Sequence, residues 1–248
     1  MYLPTHQLIN SQDRDLYSNQ SPSNFNINLP TSIKNASNLV LVSALIPYTF
    51  YNITSNNNTF TIDSNLITIS PGNYNLNEVG AAIQTQVQAL GGTYSAFVVG
   101  FNNITSQGYF QNGTAFAVNF TNSNIANLLG FNQQSYSSTT FLNSQFPINI
   151  QTLNILIHID ICSSVSTTSS SAPSATFVIP VNVNKAEYIY FNSFTQFQAI
   201  AKTNSSIINS LQIRVTDFQG NVLQGLGEWY CILQFEYRSD VNIKLCSD

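Results

Sequence analysis

Two histidines, His6 and His158, are the chain's whole supply of the side chain most used for proton transfer and metal binding near neutral pH. His158 and Asp160 fall on one face of a predicted strand as H-x-D, and with a third ligand they would suit a metal ion. A metal-dependent jelly-roll enzyme usually draws on about three histidines and a glutamate at set spacing, and His6 is far away in sequence. The plainer reading makes the pair polar residues on a solvent or subunit face. Serine is abundant, but no G-x-S-x-G turn occurs to expose a nucleophile, and there is no P-loop or G-x-G-x-x-G fingerprint. Gly225 and Gly227, ahead of Glu228, read as a turn feeding the last strand. The 11 acidic residues leave a glycosidase-type carboxylate pair open, because the separation that defines one is a three-dimensional quantity. Cys162, Cys231 and Cys246 form an odd set without metal-type spacing, and the first two fall in predicted strands, where reduced core thiols are the default. Neither catalysis nor a cofactor is expected. The chain's densest charge is Asp13, Arg14 and Asp15, which suits a charge-assisted contact with a neighbouring molecule or a solvated arm.

These groups sit in an unusual background. Charged residues make up 7% of the 248 positions, against about 25% in ordinary globular chains, and Asn, Gln, Ser and Thr fill the polar places. With 43% hydrophobic and 12% aromatic residues the chain has the material for a core, so it is expected to fold. A neutral, amide-rich surface carries little electrostatic repulsion and suits lasting packing against neighbours. Codon bias toward Asn, Ile and Tyr in an AT-rich genome would give a similar composition. Net charge is −4 with 7 Lys and Arg scattered along the chain, whereas phosphate-driven binding commonly uses roughly 6–10 basic contacts on one face. Direct binding of nucleic acid is not expected. The start, MYLPTHQLINSQDRDL, lacks a basic region followed by an apolar one, and the longest apolar run, residues 39–46, is well short of the ~18 of a membrane span. Neither a signal peptide nor a membrane-spanning helix is expected.

The elements that must position these residues are mostly strands. Residues 1–22 show little periodicity and read as an N-terminal arm, with one domain from 23 to 248. Strands are predicted at 24–29, 39–46, 59–62, 66–70, 94–101, 115–120, 153–162, 176–181, 187–191, 211–216 and 228–237. In 153–162, Leu153, Ile155, Ile157, Ile159 and Ile161 share one face, while Asn154, Leu156, His158, Asp160 and Cys162 share the other. A long helix is predicted over 76–90, with Asn75 and Glu78 placed as a capping box, apolar residues at helical spacing and Gly91-Gly92 at its end. A short helix is predicted over 124–129, closing at Gly130. The low-complexity stretch 163–175 is a loop too long for a hairpin turn. With no βαβ rhythm, the natural product is an all-β single jelly-roll sandwich of two antiparallel sheets, carrying the long and the short helix in its connections.

The order of several segments resembles the penton, or minor capsid, proteins of virophages and polinton-like viruses. INSQDR (9–14), SPSNFNINLP (21–30) and IPYTFYNI (46–53) resemble their beginning. SPGNYNLNEVGAAIQTQV (70–87) is similar to their turn and helix, and NIANLLGF (124–131) to their short helix. NILIHIDI (154–161) and IRVTDFQGNVLQGLGEWYCILQFEY (213–237) resemble their late strands. This resemblance implies a single jelly-roll vertex subunit that forms homo-pentamers at five-fold vertices and contacts the viral major capsid protein, located in the virion. The chain departs from larger vertex proteins of adenovirus type, its length suggesting no room for a second, inserted domain. Under this reading the arm ties the vertex to adjacent capsomers, and removing residues 1–20 would abolish capsid incorporation while leaving a folded body. The alternative is a carbohydrate- or receptor-binding jelly roll, such as a fibre head or lectin-like module.

Overall fold

A computed structural model describes residues 3–15, 19–162, 175–193 and 199–237. The elements run β1 (Thr5–Asn10), β2 (Asn24–Lys34), β3 (Ala36–Pro47), β4 (Thr59–Ile62), β5 (Asn65–Thr68), α1 (Leu76–Gln88), β6 (Val98–Asn102), β7 (Gln107–Asn119), α2 (Ile125–Leu128), β8 (Ser135–Asn143), β9 (Asn154–Ile159), β10 (Phe177–Pro180), β11 (Tyr188–Asn192), β12 (Ala199–Lys202), β13 (Ile207–Thr216) and β14 (Tyr230–Tyr237). They fall into two compact units, one of residues 1–49 with 153–248 and the other of residues 50–152.

The first unit is the jelly roll. One sheet runs β1-β14-β3 and ends in β11 and β12, which pair end to end along the same edge of β3, at residues 43–47 and 38–41. The other runs β10-β9-β13-β2. With β11 and β12 taken as one interrupted strand there are eight positions, paired 1-8-3-6 and 5-4-7-2 in chain order, which is the jelly-roll order. Alternation builds the core between the sheets. Ile155, Ile157 and Ile159 of β9 are buried beside Leu211, Ile213 and Val215 of β13, and Ile9, Leu41, Leu233 and Phe235 are buried in the other sheet. Trp229, just ahead of β14, is 2% exposed, meets Phe25 edge to face at 6.0 Å and donates from Nε1 to the Pro22 carbonyl at 2.7 Å.

The second unit has its own sheet, β5-β4-β7-β6 with β8 on β7, and its own core. Asp63 and Ser64, with φ of 45° and 70°, make the two-residue turn between β4 and β5, the left-handed pair that matches strand twist in a tight hairpin. Helix α1 starts with both arms of the capping box in place: Glu78 N–H donates to Asn75 Oδ1 at 2.9 Å and Asn75 N–H donates to Glu78 Oε2 at 2.8 Å. Its Val79, Ile83 and Val87 are buried among Phe60, Ile67, Phe97 and Phe110.

Three features differ from what the sequence suggests. The segment read as an arm over 1–22 contains β1, the first strand of the jelly roll, in register with β14 from Thr5↔Phe235 to Asn10↔Tyr230. Residues 50–152 cluster as a compact unit of their own between β3 and β9, where the sequence suggests one domain of 23–248, and the sandwich is made by residues 1–49 and 153–248. Helix α1, whose apolar stripe suggests a cover for the sandwich, instead covers the sheet of this second unit. Fourteen strands stand among the described residues against the eleven predicted, the additions being β1, β8 and β12. No helix among those residues is long and apolar enough to cross a membrane.

Candidate assembly surfaces

The Asp13-Arg14-Asp15 cluster sits in the short turn that leaves β1. Asn10 Oδ1 accepts from Gln12 N–H at 3.0 Å and starts a single turn of 3-10 helix over Ser11–Asp13. That turn aims Arg14 back into its own chain. Its Nη1 donates to Glu228 Oε2 at 2.7 Å and to the Ser11 carbonyl at 2.5 Å. Ser11 Oγ also donates to Glu228 Oε2 at 2.5 Å and accepts from Trp229 N–H at 2.9 Å. The three residues thus fasten the end of β1 to the start of β14 and leave Asp13 and Asp15 exposed. Arg14 is thereby engaged within its own chain.

Those carboxylates border a groove of about 690 Å³ that follows β1 and β2, the edge strands of the two sheets, with Leu8, Asn26, Ile27 and Leu29 along it. An open strand edge is a template for unwanted pairing, and two devices blunt this one. Pro30 lies within β2, and Gln20 Oε1 accepts the N–H of Asn26 at 2.8 Å.

The Arg14 guanidinium, through its hydrogen bond, holds the Glu228 carboxyl below its ordinary value, with Ser11 adding to the effect against the opposing influence of burial. A carboxyl depressed in the folded state contributes stability above its unfolded pKa, and that contribution is lost as pH falls through the folded value. Because the pair is partly exposed and screened, Glu228→Gln is expected to cost about 1–2 kcal/mol at neutral pH. The variant should also lose less stability than wild type on going from neutral pH down through the carboxylate range, which urea unfolding at a series of pH values measures.

The H-x-D pair is occupied structurally. His158 Nε2 lies 2.9 Å from Thr216 Oγ1, and Asp160 Oδ1 accepts the N–H of Gln212 at 3.0 Å, extending the β9-β13 ladder. Among the described residues no cluster of three or more His, Cys, Asp or Glu could hold a metal ion. Burial pushes the Cys231 thiol up to about 12, and burial with the nearby Asp160 carboxylate does the same for Cys162. Both are therefore protonated and poor nucleophiles at neutral pH. Residues 163–174 and Cys246 lie outside the described residues.

The sequence reading does not single out the outer faces of the two jelly-roll sheets, which differ in kind. On the sheet β1-β14-β3-β11/β12, cross-strand rows read Asn10-Tyr230-Leu45-Tyr190, then Leu8-Ile232-Ser43-Asn192, then His6-Gln234-Val40-Ile200. On the other sheet the rows are Asn24-Arg214-His158, Asn26-Gln212 and Asn28-Ser210, with Thr216-Leu156-Val178 carrying apolar side chains. The signal lay in the Tyr-Ile-Tyr-Phe of β11, where alternation sends Ile189 and Phe191 inward and both tyrosines outward, though only the strand pairing shows what lies beside them.

No protein-family model and no curated protein matches the chain. Among solved structures, the mavirus penton protein superposes over 95% of this chain and 99% of its own, with a TM-score of 0.53 at 11% identity. A chain of the Sputnik virophage structure covers 94% and 97%, with a TM-score of 0.46 at 12% identity. At such identity the likeness to the mavirus protein is one of fold, and it runs the length of both chains.

Proposed function

We propose that this chain is a structural protein of a viral capsid and acts as its vertex subunit, a homo-pentamer in the virion that contacts the major capsid protein. The observation that carries the reading is the end-to-end likeness of fold to the mavirus penton protein, which spans the jelly roll and the unit of residues 50–152 alike. The surface supports it: at 7% charged residues, copies of the chain meet with little repulsion and little charge to desolvate. The exposed side of the Asp13-Arg14-Asp15 turn, fixed by the Arg14 anchor, is offered to a neighbouring capsomer. Removing residues 1–20 is not a clean test of that role, since it takes β1 out of the sheet and leaves Glu228 without Arg14.

A carbohydrate-binding reading has one observation in its favour. Tyr109 and Phe141 stack at 5.4 Å with an interplanar angle of 26° on the side of the second unit's sheet away from Phe110, and Phe141 is 46% exposed. Such a platform suits the apolar face of a sugar ring. Mass photometry and negative-stain images of the purified protein separate the two readings. Pentamers and five-fold rings are expected, whereas a trimer that binds glycans would sink the vertex reading.

A further inference from the structure

We infer that the outer face of the sheet β1-β14-β3-β11/β12 is a surface through which copies of this chain contact one another, an inference that rests on the assembly reading above and names its surface. Five large apolar side chains on this face are open to solvent: Leu8 at 63%, Tyr188 at 59%, Tyr190 at 58%, Tyr230 at 45% and Ile200 at 43%. The register joins them into one patch. Tyr190, Leu45 and Tyr230 stand abreast on adjacent strands, Ile232 follows Tyr230 on the same face with Leu8 beside it, and Ile200 lies alongside Val40. Within the paired rows of this face the charges, Glu236 and Lys202, fall in the row through Asn38, and the Arg14–Glu228 pair lies beyond the Asn10–Tyr230 row at the other end.

Composition alone does not produce this pattern. A chain rich in Asn, Ile and Tyr would scatter all three over both outer faces of its sandwich. Instead the exposed tyrosines, with Leu8 and Ile200, gather on one sheet, while the opposite sheet presents Asn24, Asn26, Asn28, Ser210, Gln212 and Arg214 to solvent, with Val178 and Ile207 as its exposed apolar side chains. Inner faces are alike and apolar in both sheets, so the sorting serves nothing inside the fold. Contiguous apolar patches rimmed by polar groups mark contact surfaces, and tyrosine is enriched in them because it joins a large ring to a hydroxyl.

Charge identifies the occupant as a second copy. A strongly acidic or basic partner would bury its charges against a patch that has nothing to pair with them. This chain's own surface is nearly uncharged, and its abundant amides and hydroxyls supply the neutral hydrogen-bonding groups that tyrosine hydroxyls need. Where such a face meets a different surface of the next copy, the contact repeats head to tail and closes into a ring.

The test is the double variant Tyr190→Lys/Tyr230→Lys against the control Asn26→Lys/Gln212→Lys, which adds the same charges to the opposite face. Mass photometry should find the first monomeric, with unchanged far-UV circular dichroism and a melting temperature that no longer depends on protein concentration, and the control as large as wild type. Hydroxyl-radical footprinting of the wild type is independent of any variant's folding, and Tyr188, Tyr190 and Tyr230 should be labelled more slowly in the oligomer than in the diluted monomer. If the first variant assembles normally, or labelling is equal in both states, this face is not the contact although the assembly reading stands. A wild type that stays monomeric at every concentration overturns both.

Discussion

Replacing Trp229 with alanine is expected to cost about 3–5 kcal/mol, enough to take a large part of a typical domain's stability. The side chain is 2% exposed between the sheets, and its loss removes the edge-to-face contact with Phe25 at 6.0 Å. It also leaves the Pro22 carbonyl without the indole N–H that reaches it at 2.7 Å. Trp229→Phe keeps most of the volume but still abandons that carbonyl, so its cost should be smaller, about 1–3 kcal/mol. Because Trp229 is the chain's one tryptophan, both variants are followed by far-UV circular dichroism in urea rather than by fluorescence. Equal stability of wild type and Trp229→Ala would mean that the β1–β14 corner carries little of the fold. The corner matters because the same backbone, at Trp229 N–H and C=O, is bonded to Ser11 at 2.9 Å in both directions, so packing and the Arg14–Glu228 fastening are one structure.

How much of this is legible in the sequence depends on how local its cause is. Helix α1 could be read in detail because its capping box, apolar spacing and glycine stop all lie within eighteen consecutive residues, 75–92. Strand β9 is legible because isoleucines alternate in one short run. Strand β1 is not, since its six residues hold two adjacent apolar ones, Leu8 and Ile9, and its partner β14 lies more than 200 residues away in sequence. Strand β8, with the sequence SYSSTTFLN, has no alternation to find and exists because β7 offers it an edge. The division into two units escaped for a related reason. Both are built from strands of similar length and composition, so only the pairing pattern tells them apart.

The candidate site follows the same logic. Asp13, Arg14 and Asp15 stood out as a charge cluster in a charge-poor chain, but the partner of Arg14 is 214 positions away and nothing near either residue announces it. The aromatic face is likewise a property of strands drawn from the beginning, the first fifth and the last quarter of the chain. Alternation told which residues of each strand share a side. It did not tell which strands stand together.

Gly130 offers the sharpest test of the second unit, and Gly130→Ala is expected to cost about 3–5 kcal/mol, the sum of left-handed strain and overpacking. Its φ of 77° ends helix α2 and lets Phe131 N–H return to the Ala126 carbonyl at 2.8 Å. That return seats Phe131, 2% exposed, against Phe120 at 5.0 Å and Phe110 at 5.4 Å. A Cβ at residue 130 would stand 2.1 Å from the Phe146 carbonyl oxygen and 3.1 Å from that of Pro147, both backbone atoms with no rotamer to escape into. The clash cannot be relieved by sliding that loop away, because Gln145 N–H and Phe146 N–H both donate to the Gly130 carbonyl, at 3.0 and 2.9 Å. Gly91 is the internal control: its φ is 72°, but no atom lies within 4 Å of where a Cβ would be. Gly91→Ala, at φ and ψ of 72° and −167° in a region almost confined to glycine, should therefore cost only that backbone strain, about 1–3 kcal/mol. Urea midpoints for the two variants separate conformation from contact, and equal losses would show that the Phe146 loop yields to the added methyl group.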